Sequence, residues 1–427
     1  MKRILKWLMA AGLVLLLVLG AGVWAVQRWI GTEDFKTRVE QQAGTALGLP
    51  VQLARLEVAV WPLPAVAVEG VQIQTRPALT LERLEVRPAW RALLQGRLEL
   101  STVLVRGALL PQVGIDAMLL ALQKKKQPVQ AVKGLEAENA ENFDYIPRRT
   151  VLDHVTWVSA KGARIVLDAD AQLSPQGLPD DVSIKILQGQ WHGATLRLQR
   201  QTAEAHDWTL AMAVGGGTVQ GNFQWQPAAQ AGAVFSLKGQ LQTRAVEVAA
   251  LSGTPQPVLS GALDADTTLA VRSASLGAVP EALQTQSKFT VRQAVVHGVD
   301  LAKAVKTVGL SRGGETPLDT LSGQVTTQGR ALQLTQLAAS SGVLSASGQV
   351  AVAPSRALSG RVNVDLGGAV GVPLAVGGTL DAPEVTLTRA AMIGAAIGTV
   401  VLPGVGTGAG ASLGDKVGAG FNKLFGR

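Results

Sequence analysis

The chain has 427 residues, 47% hydrophobic but only 4% aromatic, and 39 Lys and Arg against 31 Asp and Glu give a net charge of +8. It contains no cysteine, which excludes disulfides and thiolate metal sites. The length suits two or three domains or one elongated one, and the apolar surface must be aliphatic, built from Leu, Val and Ala.

Trp7 to Val26, WLMAAGLVLLLVLGAGVWAV, carries no charge. At about 1.5 Å per residue it is long enough to cross the ~30 Å hydrocarbon layer as a helix, the one spanning structure open to a single segment. Leu15 and Leu16 lie at its middle, while Trp7, Trp24 and Trp29 lie near its ends, where indole rings favour the headgroup level. Lys2, Arg3 and Lys6 precede it, so the N-terminus is expected in the cytoplasm and the chain beyond Val26 across the membrane. Arg28, Lys36 and Arg38 oppose that orientation, with Glu33, Asp34 and Glu40 mixed among them. A signal peptide cleaved after Ala25, with Leu8 to Leu19 as its apolar region, is the alternative. Either way the rest is exported, and residues 1–30 are read as an uncleaved anchor. For an exported basic chain, anionic lipid is a better partner than nucleic acid, although a basic surface also serves solubility alone.

Residues 31–122 open with a helix. Thr32 can cap it, Phe35, Val39, Ala43, Ala46 and Leu47 repeat at helical spacing, and Gly48 stops it. Strands follow at Val51–Val60, Val66–Gln74 and Leu79–Val86, then a short helical turn from Pro88 to Leu94 and a strand from Arg97 to Leu109. Residues 123–150 are polar, mixed in charge and interrupted by proline, which predicts a long loop or insertion. Its Lys124-Lys125-Lys126 run is either solvated or in touch with lipid headgroups.

From Val151 to Leu387 apolar and polar residues alternate. Leu167 stands with Ile165, Ala169 and Ala171 against Val166, Asp168 and Asp170. Leu210 and Met212 alternate with Thr209 and Ala211, and Phe223 with Asn222 and Gln224. Leu358, Val362, Val364 and Leu366 share one parity, opposite Arg361, Asn363 and Asp365. Period two predicts strands with one wet and one apolar face, and the Gly, Pro, Asn and Asp between them predict antiparallel turns. Residues 151–287 form a central β region and 288–389 a second one, with no βα alternation. The apolar face must close on itself as a dry sandwich, be covered by helices, or line a trough filled by something else. Asp300–Leu310 is the best helix available to cover it. A lining of small aliphatic residues suits the trough, and a carboxylate at Val362 or Val364 is expected to be hydrated there but stranded in a sandwich.

Residues 390–427 are glycine-rich. Gly394, Gly398, Gly406, Gly410 and Gly414 fall on a four-residue spacing that lets helices approach closely, broken at Pro403-Gly404. The tail is read equally as a helical plug on the sheet or a hairpin touching a membrane. Catalytic signals do not survive inspection. Gly410-Ala-Ser412-Leu-Gly414 imitates a nucleophile elbow, but every histidine lies upstream of it. Gly404 to Ala409 imitates a dinucleotide loop without a βαβ unit around it. His154, His192, His206 and His297 have no ligand at metal-motif spacing, and Asp168, Asp170, Asp264 and Asp266 read as wet-face residues. No catalytic residue, metal or cofactor is expected.

The order of anchor, Phe35–Leu47 helix, Leu81–Val86 strand, Pro88-Ala-Trp-Arg-Ala-Leu-Leu-Gln-Gly96 and Leu98–Val105 strand resembles the AsmA family of Gram-negative envelope proteins. So do Val295–Leu301 with the helix after it, Leu321–Val325, Ser341–Val350, Leu358–Leu366 and Gly377–Val385. These blocks cover about half the chain, and they are turn and apolar patterns rather than catalytic signatures. The resemblance implies a single-pass protein of the bacterial inner membrane with its bulk in the periplasm. It also implies an elongated curled antiparallel sheet with an apolar groove and few short helices, and a role in phospholipid transport toward the outer membrane. Leu167, Leu210, Met212, Phe223, Leu358, Val362, Val364 and Leu366 are the groove candidates read from alternation. The competing expectation is a closed β domain that assembles other envelope proteins.

Overall fold

A computed structural model describes residues 33–59, 65–89, 91–92, 95, 98–126, 143–144, 146–202, 206–227, 234–252, 256–306, 313–342, 344–367, 371–388 and 391. The Trp7–Val26 span, with Trp7, Leu15, Leu16 and Trp24, and the tail glycines Gly394, Gly398, Gly406, Gly410 and Gly414 lie outside these residues. Among the described residues no helix is long and apolar enough to cross a membrane. The chain is mainly β and divides between Gln199 and Arg200 into two compact units. The expected boundary at 150/151 falls inside a strand of the first unit, and the one at 287/288 inside a strand of the second.

The first unit opens with α1 (Glu33–Leu47), which carries Glu33 and Asp34 in its first turn, where the helix dipole favours anions. Gly48 ends it at φ 71°, a left-handed conformation that glycine adopts without strain. Its Phe35, Val39, Ala43 and Leu47 pack on Val51, Leu53, Leu56, Val68 and Val71. These come from β1 (Val51–Gln52), β2 (Arg55–Ala59), β3 (Ala65–Ile73) and the segment between β1 and β2. The backbone N–H of Leu53 donates to Glu40 Oε1 at 2.7 Å, tying the helix to the chain leaving it. β3, β4 (Leu79–Pro88) and β5 (Leu98–Pro111) form an antiparallel meander.

Here the fold departs from the antiparallel expectation. β5 runs directly into a second fifteen-residue helix, α2 (Gln112–Lys126), and the chain returns through β6 (Phe143–Asp144) to β7 (Arg149–Val158). β7 lies parallel to β5, with Val105 opposite Leu152 and Leu110 opposite Trp157. Parallel neighbours need a long crossover, and α2 supplies it. The sequence does carry its signal: Ile115, Met118 and Leu122 recur at helical spacing among good helix formers, beside a polar stretch that by itself reads as loop. Gly114 lets α2 sit close, since a Cβ there would stand 2.7 Å from the Pro77 carbonyl oxygen. β7, β8 (Arg164–Leu173), β9 (Pro179–Gln188) and β10 (Thr195–Arg200) then pair antiparallel in order.

In the second unit every strand pairs antiparallel with the next. They are β11 (Asp207–Val214), β12 (Gly217–Gln226), β13 (Phe235–Glu247), β14 (Leu259–Ser273), β15 (Gln284–His297), β16 (Glu315–Gln328), β17 (Ala331–Ser341), β18 (Leu344–Val352), β19 (Leu358–Leu366), β20 (Val372–Thr379) and β21 (Ala382–Leu387). Gly215 and Gly216, at φ 55° and 75°, make the two-residue turn from β11 to β12, where the tight hairpin turn requires positive φ at both places. The helices are short: α3 (Val248–Leu251), α4 (Val279–Ala282) and α5 (Leu301–Lys306), the last within the expected Asp300–Leu310 segment.

Register carries one face through the whole second unit. Phe223 stands opposite Trp208 on one side and Gly239 on the other, and Leu241 opposite Gly221. The glycines are slots: a Cβ on Gly239 would lie 2.6 Å from Phe223 Cδ1, so the ring rests over the glycine backbone. Gly239→Val is therefore expected to cost about 1–3 kcal/mol by overpacking. Adding Phe223→Ala should return much of the loss, as urea unfolding of the single and double variants would show. Equal losses with and without Phe223 would rule out the slot.

Candidate functional site

The candidate site is the apolar face. Strictly alternating strands cannot explain its continuity, because several strands carry an extra residue. Register shifts occur between Leu152 and Val155, Thr243 and Val246, and Leu334 and Leu337. The skipped residues include His154, Ala245 and Gln336, at φ 53°, 51° and 52°. Each bulge bends its strand locally and restores parity, so Leu152 and Val155 face the same way although three residues apart.

Carboxylates hold two of these bulges. Asp168 Oδ1 accepts the backbone N–H of His154 at 2.8 Å, and Asp264 Oδ1 that of Ala245 at 2.9 Å. Both aspartates belong to the same four-residue pattern, Leu167-Asp168-Ala169-Asp170 in β8 and Leu263-Asp264-Ala265-Asp266 in β14. In each, the second aspartate pairs with an arginine of the preceding strand, Arg149 with Asp170 and Arg244 with Asp266. The wet-face reading of these four residues thus gains a structural task that alternation alone did not reveal.

Asp153, His154 and Asp168 also bring three ligand-type atoms within 4.8 Å of one another. Their bonds are those of an ion-pair knot. His154 Nδ1 lies 2.6 Å from Asp153, and Arg106 Nε donates to Asp153 at 2.7 Å. Both oxygens of Asp153 are thus engaged, Oδ1 by His154 and Oδ2 by Arg106. The hydrogen bond to Asp153, then the charge of Asp168, raise the His154 pKa, and the His154 bond, then that of Arg106, hold Asp153 below the usual carboxylate range. Asp153 contributes stability above its unfolded pKa, lost as pH falls through the folded value. His154 contributes below its unfolded pKa, and that is lost as pH rises through the raised value. The pair acts between these limits. Proton NMR titration should find His154 above the ordinary imidazole value of about 6.5, moving back toward it in Asp153→Asn. No movement would dissolve the knot.

Within the second unit, register sets Leu210, Met212, Phe223, Leu358, Val362, Val364 and Leu366 on one face under different cover, and Leu167 belongs to the first unit. Leu167 stands opposite Val155 and Ile186. Leu210, Met212 and Phe223 are half-buried and outside the buried clusters of the described residues. Beside them the face ends in a set of rings. Trp208, only 4% exposed, and Trp225 have centroids 6.3 Å apart, Phe235 meets Trp225 edge-on, and Arg200 stands over Trp208. Leu358, Val362 and Leu366 are half-buried, whereas Val364 is 0% exposed. Val364 belongs to a closed core with Leu318, Leu344, Leu374, Val385 and Ala391, onto which α5 lays Ala304, Leu301 and Val305. Val364 is therefore no part of an open face: the helix covers this end. The opposite parity is wet, with Arg361 and Asn363 exposed. Around β12 to β16 lies a hollow of about 810 Å³, lined by Asn222, Gln224, Lys238 and Gln240 together with Phe223 and Leu269, among others.

The class this geometry defines is a mainly β protein, in whose second unit the apolar sheet face is closed around Val364 and half-buried over β11 to β13. No family model matches the chain, and no curated protein and no solved structure matches it either.

Two aspartate variants separate the regions. Val364→Asp strands a charge without a partner and is expected to cost about 3–5 kcal/mol. Met212→Asp keeps access to water and is expected to cost about 1–2 kcal/mol. Thermal unfolding of both would decide, and equal destabilisation would mean the face is closed throughout.

Proposed function

We propose that this chain handles lipids, with acyl chains lying on the apolar face of β11 to β14. The observation that supports it is the half-buried run of Leu210, Met212, Phe223, Leu237, Leu241 and Leu269, held on one face by register. Covering such a face with an acyl chain would remove CH₂ groups from water at about 0.8 kcal/mol each. Glycine slots keep the large side chains flat, so a lipid would slide over the surface without a deep well. The rings of Trp208 and Trp225 with Arg200 suit the boundary between acyl chain and headgroup.

The uncharged Trp7–Val26 stretch fits an inner-membrane anchor, and the resemblance to the AsmA family fits phospholipid movement through the periplasm toward the outer membrane. On this reading the face lines a curled groove, and transport needs no catalytic residue. The closed core at Val364 favours a second reading, a structural or assembly factor for envelope proteins that uses the face as core.

A photo-crosslinking amino acid at Met212, in full-length protein within native membranes, tests the proposal. Phospholipid adducts at Met212, and none at exposed Arg361 on the wet face, are expected. Adducts to protein alone at Met212 would favour the assembly reading, and an equal lipid yield at Arg361 would remove the role of the apolar face.

A further inference from the structure

α2 has two apolar sides and only one of them is used. Gly114, Ile115, Met118, Ala121 and Leu122 make up the buried and half-buried side, and Trp157 Nε1 donates to Gln112 Oε1 at 3.0 Å to pin the first turn. On the outward side Val113 is 48% exposed, Leu119 47% and Leu120 57%. These are three of the eight exposed large hydrophobics found among the described residues, so one fifteen-residue helix carries a disproportionate share. Asp116 between them is bonded to Gln112 Nε2 at 2.8 Å. The helix closes with Lys124-Lys125-Lys126, three cations at the end where the dipole is negative.

We infer that the outward face of α2 is a docking surface for an anionic bilayer, a membrane contact separate from the lipid-carrying face. Charge complementarity selects the occupant. A protein groove that took the three apolar residues would have to match three adjacent lysines with placed carboxylates. An anionic bilayer offers its charge diffusely and its hydrocarbon beneath. An apolar stripe on a helix whose sequence ends in lysines is the pattern of helices that lie in the interface plane. Gly114 and the Gln112–Trp157 bond fix α2 against the sheet, so docking would orient the whole first unit on the membrane.

The inference rests on the reading of a membrane-resident lipid-handling protein, and the test separates the two. Because the chain has no cysteine, Leu120→Cys gives a single labelling site for an environment-sensitive fluorophore in the full-length protein. Ala211→Cys, on the exposed face of β11, is the control. Each would be reconstituted into vesicles of phosphatidylcholine with phosphatidylglycerol or of phosphatidylcholine alone, with nitroxide-labelled lipid as quencher. In anionic vesicles the label at position 120 should shift to the blue and be quenched, while the control does neither. Replacing Lys124, Lys125 and Lys126 with Gln should weaken the quenched fraction by at least about tenfold in apparent affinity. A position 120 that behaves like the control overturns the inference, and so does equal quenching in neutral vesicles. A blue shift without nitroxide quenching would mean that protein covers the stripe, which also overturns it. Lipid adducts at Met212 with a water-exposed position 120 would sink this inference alone. Quenching at position 120 without adducts at Met212 would sink the lipid-carrying reading alone.

Discussion

Cross-strand register is the constraint on which this protein depends. Side chains alternate with period two, so a slip of one residue in any strand would turn its apolar set to water and its polar set inward. From β11 to β21 no such slip occurs: residues opposite one another share a face from Trp208 to Leu387. The bulges help to keep it so. Without the extra residue at Ala245, Val246 could not join Thr243 on the buried side, and both are buried. Asp168 and Asp264, capping the bulged N–H groups of His154 and Ala245, thus help to hold the facing of their own strands.

The face is not uniform in what covers it. Over β15 to β21, α5 and Ala391 complete an ordinary closed core around Val364 and Leu374. Over β11 to β13 the described residues form no comparable cluster, although α3 lays Val248 on the core around Val364. Leu210, Met212, Phe223, Leu237 and Leu241 are half-buried there and alternate with exposed Ala211, Gln224, Lys238 and Gln240.

Much of this was legible in the sequence. Alternation in β11, β12 and β19 places Leu210, Met212, Phe223, Val362 and Val364 on the face where they lie, because those strands run without a bulge. Strands with bulges are harder, since Thr-Val-Leu-Asp-His-Val-Thr-Trp breaks the alternation in the middle of β7. The roof over Val364 was legible only in part: Asp300–Leu310 reads as the helix available to cover the face, but period fixes which way Val364 points and not that this helix lies above it. α2 was hidden because its helical spacing adjoins a polar stretch that masks its end. The partnership of Asp168 with the bulge at His154 depends on a pairing between separate strands, which no local pattern reports.

The parallel joint between β5 and β7 has a consequence for how the chain assembles. In the second unit each strand pairs with its immediate successor, so loops to be closed are short and order can spread as a zipper. In the first unit β5 must wait for β7, whose partner residues Val105 and Leu152 are separated by α2 and the segment after it. The entropic cost of ordering is concentrated at that one seam. A chain emerging from its N-terminus would complete the β3–β5 meander early and hold an unpaired β5 edge until Arg149–Val158 arrives, with α2 the first element able to brace it.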